Sequence, residues 1–203
     1  MKNWTTPASD ESIAKTITAL KNRNIDAIVV NTGAEAKAKV LGIIPKGAEV
    51  MNMSSVTLET IGLVDAINTS GDFDAIKPKL MKMDRKTQGR EMRKLGAAPD
   101  WSVGSVNAVT EDGYLLIGSR TGSQIPAYAY GSGHVIWVVG TQKIVPTLTD
   151  AMKRINEYVV PKEEIHMRQK MGIGTQLNKL LIVNGEFIPG RSTVIFVKES
   201  LGF

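Results

Sequence analysis

The chain has 203 residues, of which 42% are hydrophobic and 22% are charged, a balance typical of a globular protein with a buried core. It has no cysteine, which excludes disulfides, thiolate catalysis and an iron–sulfur cluster bound through its own side chains. No apolar run approaches the ~20 residues that cross a bilayer, and residues 1–15 lack the apolar core of a secretory signal. We therefore expect a cytoplasmic protein without membrane contact, folded as one domain over residues 1–203.

The net charge of +5 is concentrated in residues 77–94. This basic segment holds eight cationic side chains against Asp84 and Glu91, and the eight are Lys77, Lys79, Lys82, Arg85, Lys86, Arg90, Arg93 and Lys94. A nucleic-acid arm is one interpretation, but no aromatic residues interleave with the charges. A solvated helical face, or a cover over an anionic substrate, is favoured instead, and we do not expect nucleic acid as a partner.

Helices and buried strands alternate along the first seventy residues. The first predicted helix is capped by Ser9 or Asp10 and leads to a strand at Ile25–Val30. A helix at Ala34–Leu41 and a strand at Val50–Met53 follow. The next helix begins at Ser54-Ser55 and points Leu58, Ile61 and Val64 toward the core. Strands joined by helices at this spacing require right-handed crossovers. The pattern predicts an α/β fold with a mainly parallel sheet flanked by helices.

The second half opens with the glycine-rich stretch from Trp101 to Pro146, which contains two short apolar runs. Tyr114–Gly118 and Val135–Val139 are predicted to be core strands. A helix should follow Thr147, and the last two apolar runs, Leu180–Val183 and Thr193–Val197, are predicted to form a hairpin or a pair of edge strands. The fold class is therefore α/β with an antiparallel strand pair near the C-terminus.

Two candidate ligand-binding groups follow the early strands. Thr32 and Gly33 lie where a strand turns into a helix, and free helix amides there can hold an anion, although an ordinary helix start explains the same residues. Ser55 and Thr57 offer hydroxyls to a carboxylate or phosphate, and Glu59 could act as a general base if it faces a cleft. Simple capping by Ser54 or Ser55 is the alternative.

The remaining candidates lie in the glycine-rich stretch and just beyond it. One core strand is preceded by Ser105, Asn107 and Glu111 and followed by Arg120, Gly122 and Gln124. The next strand ends at Gly140 and Lys143. A polar segment further along the chain contains Arg168, close to His166. Arginine beside exposed glycine amides suits carboxylate or phosphate. Glu111 also fits a plain turn. His134 and His166 lack the spacing of metal ligands, so we expect no metal site, and no catalytic triad or nucleotide-binding fingerprint is present.

Several motifs taken together resemble the LUD-domain family, which is named for lactate utilisation. They are EAKAKVLGIIPKGAEV followed by SSVTLETIGLVDAI, SVNAVTEDG, YGSGHVIWVVGTQKIVPTLTDAMKRI and the final VIFVKESLGF, and they run from about residue 10 to 203. That family is similar in fold to ribose-5-phosphate isomerase, glucosamine-6-phosphate deaminase and CoA transferases. The resemblance therefore implies the same parallel α/β architecture.

For function, the resemblance implies an accessory, non-redox subunit of lactate or 2-hydroxy acid oxidation. Such a subunit would bind the small anionic metabolite or dock iron–sulfur subunits, and any cluster would belong to those partners. A stand-alone enzyme or sensor for a phosphorylated sugar, acyl-CoA or similar small anion is the alternative, and a homodimer is a further expected assembly. The chain departs from the family pattern at Met53-Ser54, at Ser123-Gln124, and in residues 161–178, which contain no cysteine.

Overall fold

The computed structural model describes residues 3–203. The strands are β1 (Asp26–Val30), β2 (Glu49–Asn52), β3 (Asp74–Ala75), β4 (Trp101–Gly104), β5 (Ala108–Thr110), β6 (Leu115–Ser119), β7 (His134–Gly140), β8 (Ile144–Val145), β9 (Lys179–Val183) and β10 (Ser192–Val197). The α-helices are α1 (Asp10–Lys21), α2 (Gly33–Ile43), α3 (Val56–Thr60), α4 (Leu63–Thr69), α5 (Ile76–Met81), α6 (Gly89–Ala97), α7 (Leu148–Arg154) and α8 (Val160–Met171).

The larger sheet has six strands in the order β1-β10-β7-β4-β2-β3, and every pairing in it is parallel. Side chains of β7 alternate between its two faces, as the period of a strand requires. Val135, Trp137 and Val139 join one buried apolar cluster, whereas Ile136 and Val138 join another. Both faces of the sheet are therefore covered, and the predicted parallel α/β architecture is confirmed.

The smaller sheet is mixed, with the order β8-β5-β6-β9. β5 and β8 run parallel, while β6 is antiparallel to both β5 and β9. Side chains of this sheet, among them Val109 and Leu115, belong to the same apolar cluster as Trp137 of the larger sheet. The two sheets thus share part of one core.

The predicted helix starts agree with the structure, with one interruption. The Ser9 and Thr147 side chains each accept a hydrogen bond from a backbone amide in the first turn of α1 and α7. The single helix predicted after Ser54-Ser55 is instead divided into α3 and α4 at Gly62, whose φ of 64° places it in the left-handed region. The helix at the carboxyl end of β2 is therefore short.

The prediction that the last two strands pair with each other is wrong. β9 pairs antiparallel with β6 at the edge of the smaller sheet, whereas β10 lies between β1 and β7 in the larger one. The reason is the burial of consecutive side chains, since all four residues from Val194 to Val197 are buried. A strand that is apolar on both faces needs neighbours and covering layers on both sides.

Helices α7 and α8 form one long, slightly irregular rod. A π-helical turn at Ile155–Val159 joins them, and Pro161, which has no N–H to donate, follows this turn as the second residue of α8. α8 has no buried residue. No helix within residues 3–203 is long and apolar enough to cross a membrane.

Candidate functional site

The carboxyl ends of three neighbouring strands bring together the most unusual polar group in the molecule. The chain that follows β2, β4 and β7 supplies Thr57, Ser105 and Lys143, in the position where parallel α/β sheets bind ligands. Lys143 is only 2% exposed. Its Nζ lies 3.0 Å from Thr57 Oγ1, 3.1 Å from Ser105 Oγ and 3.2 Å from the Val106 carbonyl oxygen.

A second buried cation, Arg154 at the end of α7, lies beside this group. One of its terminal nitrogens donates to the Asn107 carbonyl, the neighbour of the Val106 carbonyl that Lys143 binds. The guanidinium carbon is 5.4 Å from the centre of the Tyr158 ring. Arg154 is fully buried, yet its Nε and Nη2 have no hydrogen-bond partner. We refer to Lys143, Thr57, Ser105 and Arg154 as the Lys143 site.

No carboxylate within residues 3–203 forms an ion pair with either cation of the Lys143 site. This is unusual, because buried charges in proteins are normally paired or bound to a ligand. Burial and, to a smaller extent, the charge of Arg154 lower the pKa of Lys143 to about 7. Burial also lowers the pKa of Arg154, to about 10, which leaves its guanidinium charged at neutral pH.

The hydrogen bonds around Lys143 suit both protonation states of its side chain. An ammonium can donate to all three oxygens. A neutral amine can donate to Thr57 and Val106 and accept from the Ser105 hydroxyl. Thr57 is committed as the acceptor, because its own hydroxyl donates to the Leu201 carbonyl at 3.2 Å.

Residues 199–203, which we call the covering segment, close this end of the sheet. The Leu201 carbonyl accepts hydrogen bonds from Thr57 and, at 2.9 Å, from Gln142 Nε2. Gly202, with a φ of 64°, packs so tightly that a Cβ there would lie 2.5 Å from Thr57 Oγ1. The Phe203 ring lies edge-on to His166, with 6.1 Å between their centroids. These contacts place the covering segment directly against the Lys143 site.

The covering segment also occupies the helix start predicted to bind an anion. The Gly33 amide donates to the Glu199 carboxylate at 2.9 Å, so this backbone donor is already satisfied by an acid of the chain itself. Thr32 caps α2, since its hydroxyl accepts from the Glu35 amide at 3.2 Å. Gly140 contributes by having no side chain, because a Cβ there would lie 2.8 Å from the Leu201 nitrogen.

A group of ionisable side chains from α3, α5 and α8 lies next to the covering segment, which it contacts through His166 and Phe203. We call Glu59, Lys77, Glu163, His166 and Lys170 the rim cluster. Lys170 forms an ion pair with Glu59 at 2.9 Å, and Lys77 donates to Ser54 Oγ at 2.9 Å. Burial raises the pKa of Glu163 and lowers that of Lys77.

In the chain, Ser55 lies between Ser54, which accepts from Lys77 of the rim cluster, and Thr57 of the Lys143 site. It is the N-cap residue of α3, but its side chain makes no capping hydrogen bond. The simple capping explanation of this serine therefore does not hold. Asn107 connects the site to β6. Its carbonyl accepts from Arg154, and its Oδ1 accepts from the Gly118 amide at 2.6 Å.

The other predicted site residues make contacts elsewhere. Glu111 accepts from Ser12 at 2.7 Å and from Lys15 at 2.9 Å, which ties α1 to the β5–β6 turn. The remaining four, Arg120, Gly122, Gln124 and Arg168, lie in the loop after β6 and on α8. In the loop, the Gly122 amide donates to Ser119 Oγ, and Ser119 in turn donates to Gln124. The Arg120 carbonyl accepts from Asn178, and Arg168 forms an ion pair with Glu164. None of these contacts involves a member of the Lys143 site.

Sequence reasoning missed Arg154, Gln142 and Leu201. The signal for Arg154 was present, since it lies three residues after Ala151 and next to Ile155, both of which are buried. A charged residue on the inward stripe of an amphipathic helix indicates a buried polar contact. Leu201 acts through its carbonyl, and a backbone contact of this kind leaves no trace in the side-chain pattern.

Two open grooves on the surface lie apart from the Lys143 site. One of about 740 Å³ lies between α1 and the β5–β6 turn, and one of about 470 Å³ lies beside α6. Neither is lined by any member of the Lys143 site. Within residues 3–203, no group of three or more histidine or acidic side chains could hold a metal ion.

Fold and site together define an α/β protein with a parallel sheet, whose buried polar groups gather at the carboxyl ends of the strands. The chain belongs to the LUD domain family, whose model matches residues 13–197. Its structure is similar to that of a DUF162 family protein from Deinococcus radiodurans, with 13% sequence identity, a TM-score of 0.59, and coverage of 94% of this chain and 99% of that one. This likeness shows the shared fold. A search of curated proteins found no match.

Proposed function

We propose that the Lys143 site binds a small organic anion. In a family associated with lactate utilisation, the best candidate is a 2-hydroxy acid such as lactate or the corresponding 2-oxo acid. The observation that supports this most strongly is a pair of buried cations, Lys143 and Arg154, without an acidic partner among residues 3–203. Such charges are expensive to bury alone, and a bound carboxylate would compensate them.

The free atoms of Arg154 suit a carboxylate in particular. Nε and Nη2 lie along one edge of the guanidinium plane, and both lack a partner. That edge can donate two parallel hydrogen bonds to the two oxygens of a carboxylate. Nη1 is already bound to the Asn107 carbonyl, which fixes the plane.

A binding assay with a matched pair of variants tests this function. Isothermal titration with lactate and pyruvate should show binding that Arg154→Lys weakens at least about tenfold, since a hydrogen bond to a charged group contributes about 1.5–3 kcal/mol. Arg23→Lys is the control, because Arg23 also donates to backbone carbonyls and lies over a tyrosine ring, but none of these contacts involves the Lys143 site. Equal affinity in Arg154→Lys and wild type would refute the assignment.

The accessory role concerns partners and needs a separate test. The absence of cysteine and the membership in the LUD domain family support a chain that binds the organic acid while iron–sulfur partners carry the electrons. Tagged protein purified from its native host should bring down an iron–sulfur subunit. Recovery without any iron–sulfur or flavin protein would end the accessory role and leave the anion site to be judged by titration.

The rim cluster favours one alternative, a stand-alone enzyme or sensor for a larger anion. Lys77 and Lys170 would add positive charge at the entrance, which suits a phosphorylated sugar or acyl-CoA. The same titration, extended to a sugar phosphate and acetyl-CoA, separates the two ideas. The alternative gains support only if these bind more tightly than lactate and pyruvate and lose affinity in Lys170→Ala.

A further inference from the structure

We propose that Lys143 is a nucleophile that forms a Schiff base with a 2-oxo acid. The proposal rests on the proposed function of the same site and specifies it, since it assigns a covalent step and a substrate class: a carboxylic acid with a ketone next to the carboxylate. The geometry behind it is a buried, oriented amine next to an arginine with a free bidentate edge.

Lys143 differs from the ion-paired lysines in what holds its nitrogen. Five lysines form ion pairs with carboxylates: Lys15, Lys46, Lys79, Lys170 and Lys198. Lys143 instead contacts two hydroxyls and a carbonyl. Burial and the charge of Arg154 lower its pKa to about 7, so a large fraction is the nucleophilic free amine at neutral pH.

The step is balanced without any oxidant or reductant. The Nζ lone pair attacks the ketone carbon and a C–N bond forms. The nitrogen gives up one of its protons while the carbonyl oxygen takes one up, which leaves a neutral carbinolamine. The carbinolamine hydroxyl then takes one proton from solvent and leaves as water, while the nitrogen lone pair completes the imine and the nitrogen keeps its one remaining hydrogen. The C=O bond of the ketone is thereby replaced by a C=N bond, and the only by-product is water.

Neighbouring groups have defined parts in this step. Arg154 would hold the carboxylate of the acid through its free edge. The Ser105 hydroxyl, 3.1 Å from Nζ, can donate the proton that the carbonyl oxygen needs. Thr57 accepts from Nζ and so keeps the amine oriented. The covering segment must shift to admit the acid, and its return would exclude the water that hydrolyses an imine.

Reductive trapping tests the proposal directly. The full-length protein is incubated with pyruvate and sodium cyanoborohydride, and adducts are located by mass spectrometry of the intact chain and of its peptides. We expect one adduct on the peptide that contains Lys143. Lactate has no ketone and should give none. Lys143→Arg has no comparable nucleophile and should lose the adduct.

Lys198→Arg is the matched control, since Lys198 also follows a strand of the larger sheet but is paired with Asp10. It should retain the adduct on Lys143. Because peptide mapping uses the wild-type chain, the proposal can be judged even if Lys143→Arg does not fold. Adducts spread over exposed lysines, or an undiminished yield in Lys143→Arg, would overturn it. Binding of lactate and pyruvate without trapping overturns the Schiff base alone, whereas absence of binding refutes the proposed anion site.

Discussion

The protonation of a single residue, Lys143, should be visible in the stability of the whole protein. Its pKa is lowered to about 7 in the folded state, while an unfolded lysine has a pKa of about 10.4. Between these values the unfolded chain binds more protons at this position than the folded one. The free energy of unfolding should therefore rise as the pH increases from about 7 to about 10.

A pair of urea titrations isolates this effect. Wild type should gain stability relative to Lys143→Met over that pH window, by at most about 1.4 kcal/mol per pH unit. The comparison cancels the other ionisable groups, and Arg154, the one charged neighbour that lowers the pKa of Lys143, is present in both proteins. Stability curves that stay parallel from pH ~7 to pH ~9 would contradict the buried, easily deprotonated lysine.

Gly104, at the end of β4, is a second residue with a measurable role. A Cβ at this position would lie 1.7 Å from the hydroxyl oxygen of Tyr128, which is itself buried. Gly104→Ala should cost about 1–3 kcal/mol, because the tyrosine must move within a packed core. Gly42→Ala is the control, since Gly42 lies inside α2 with no atom within 4 Å of an added Cβ. It should stabilise the protein by about 0.5–1 kcal/mol, and equal effects in thermal unfolding would refute the packing argument.

Part of the candidate site could be predicted residue by residue. Ser105 and Lys143 follow buried strands, and the carboxyl ends of parallel strands converge whatever the details of the loops. The burial of Arg154 could be inferred from its neighbours on α7, but its partner could not, because that depends on which carbonyls the 105–107 turn exposes. Arg120 was predicted from its neighbouring glycines, yet its loop is tied to Asn178 and takes no part in the contacts of Lys143.

Among the helices near the Lys143 site, α8 should open most readily. It has no buried residue, whereas every residue of β7 from Val135 to Gly140 is buried. The ion pair that links α8 to α3, Lys170 with Glu59, is about half exposed and therefore contributes at most about 1 kcal/mol. Local opening costs least where few apolar contacts are lost.

Hydrogen exchange followed by mass spectrometry measures this difference. Amides of α8 should exchange many times faster than those of β7, and those of α1, which buries Ile13, Thr16 and Leu20, should fall between them. Such opening would also allow the covering segment to shift, since Phe203 lies against His166 of α8. Exchange in α8 as slow as in β7 would mean that this end of the sheet is rigid.

The burial of side chains also decides which strands can be predicted from the sequence and which cannot. β7 and β10 are recognisable because apolar residues on both faces require a covered parallel sheet. β9 has no such pattern, since residues along it are only partly buried. Its antiparallel partner, β6, is some sixty residues away in the chain, and nothing local specifies that pairing. The hairpin prediction failed for this reason.

At the scale of the whole molecule, the excess of positive charge in the basic segment, residues 77–94, determines how the protein interacts with polyanions. The structure shows that two of its eight cations are already engaged, because Lys77 donates to Ser54 and Lys79 is paired with Asp74. The rest of the segment includes α6, which has no buried residue. A helix of this length presents about 13 Å of charged surface, enough to meet only a few phosphates.

We therefore expect weak, sequence-independent attraction to DNA or RNA, with a dissociation constant at physiological salt above the ~10⁻⁴–10⁻⁶ M typical of nonspecific binding. Fluorescence anisotropy over a salt series measures it.

Reversing two charges of α6, in Arg90→Glu with Arg93→Glu, should abolish the attraction at low salt and leave lactate binding unchanged. The same change in net charge outside the segment, in Lys21→Glu with Lys39→Glu, should weaken it far less. Tight binding that persists in high salt would instead make the basic segment a nucleic-acid site, because contacts beyond phosphate neutralisation would then be required.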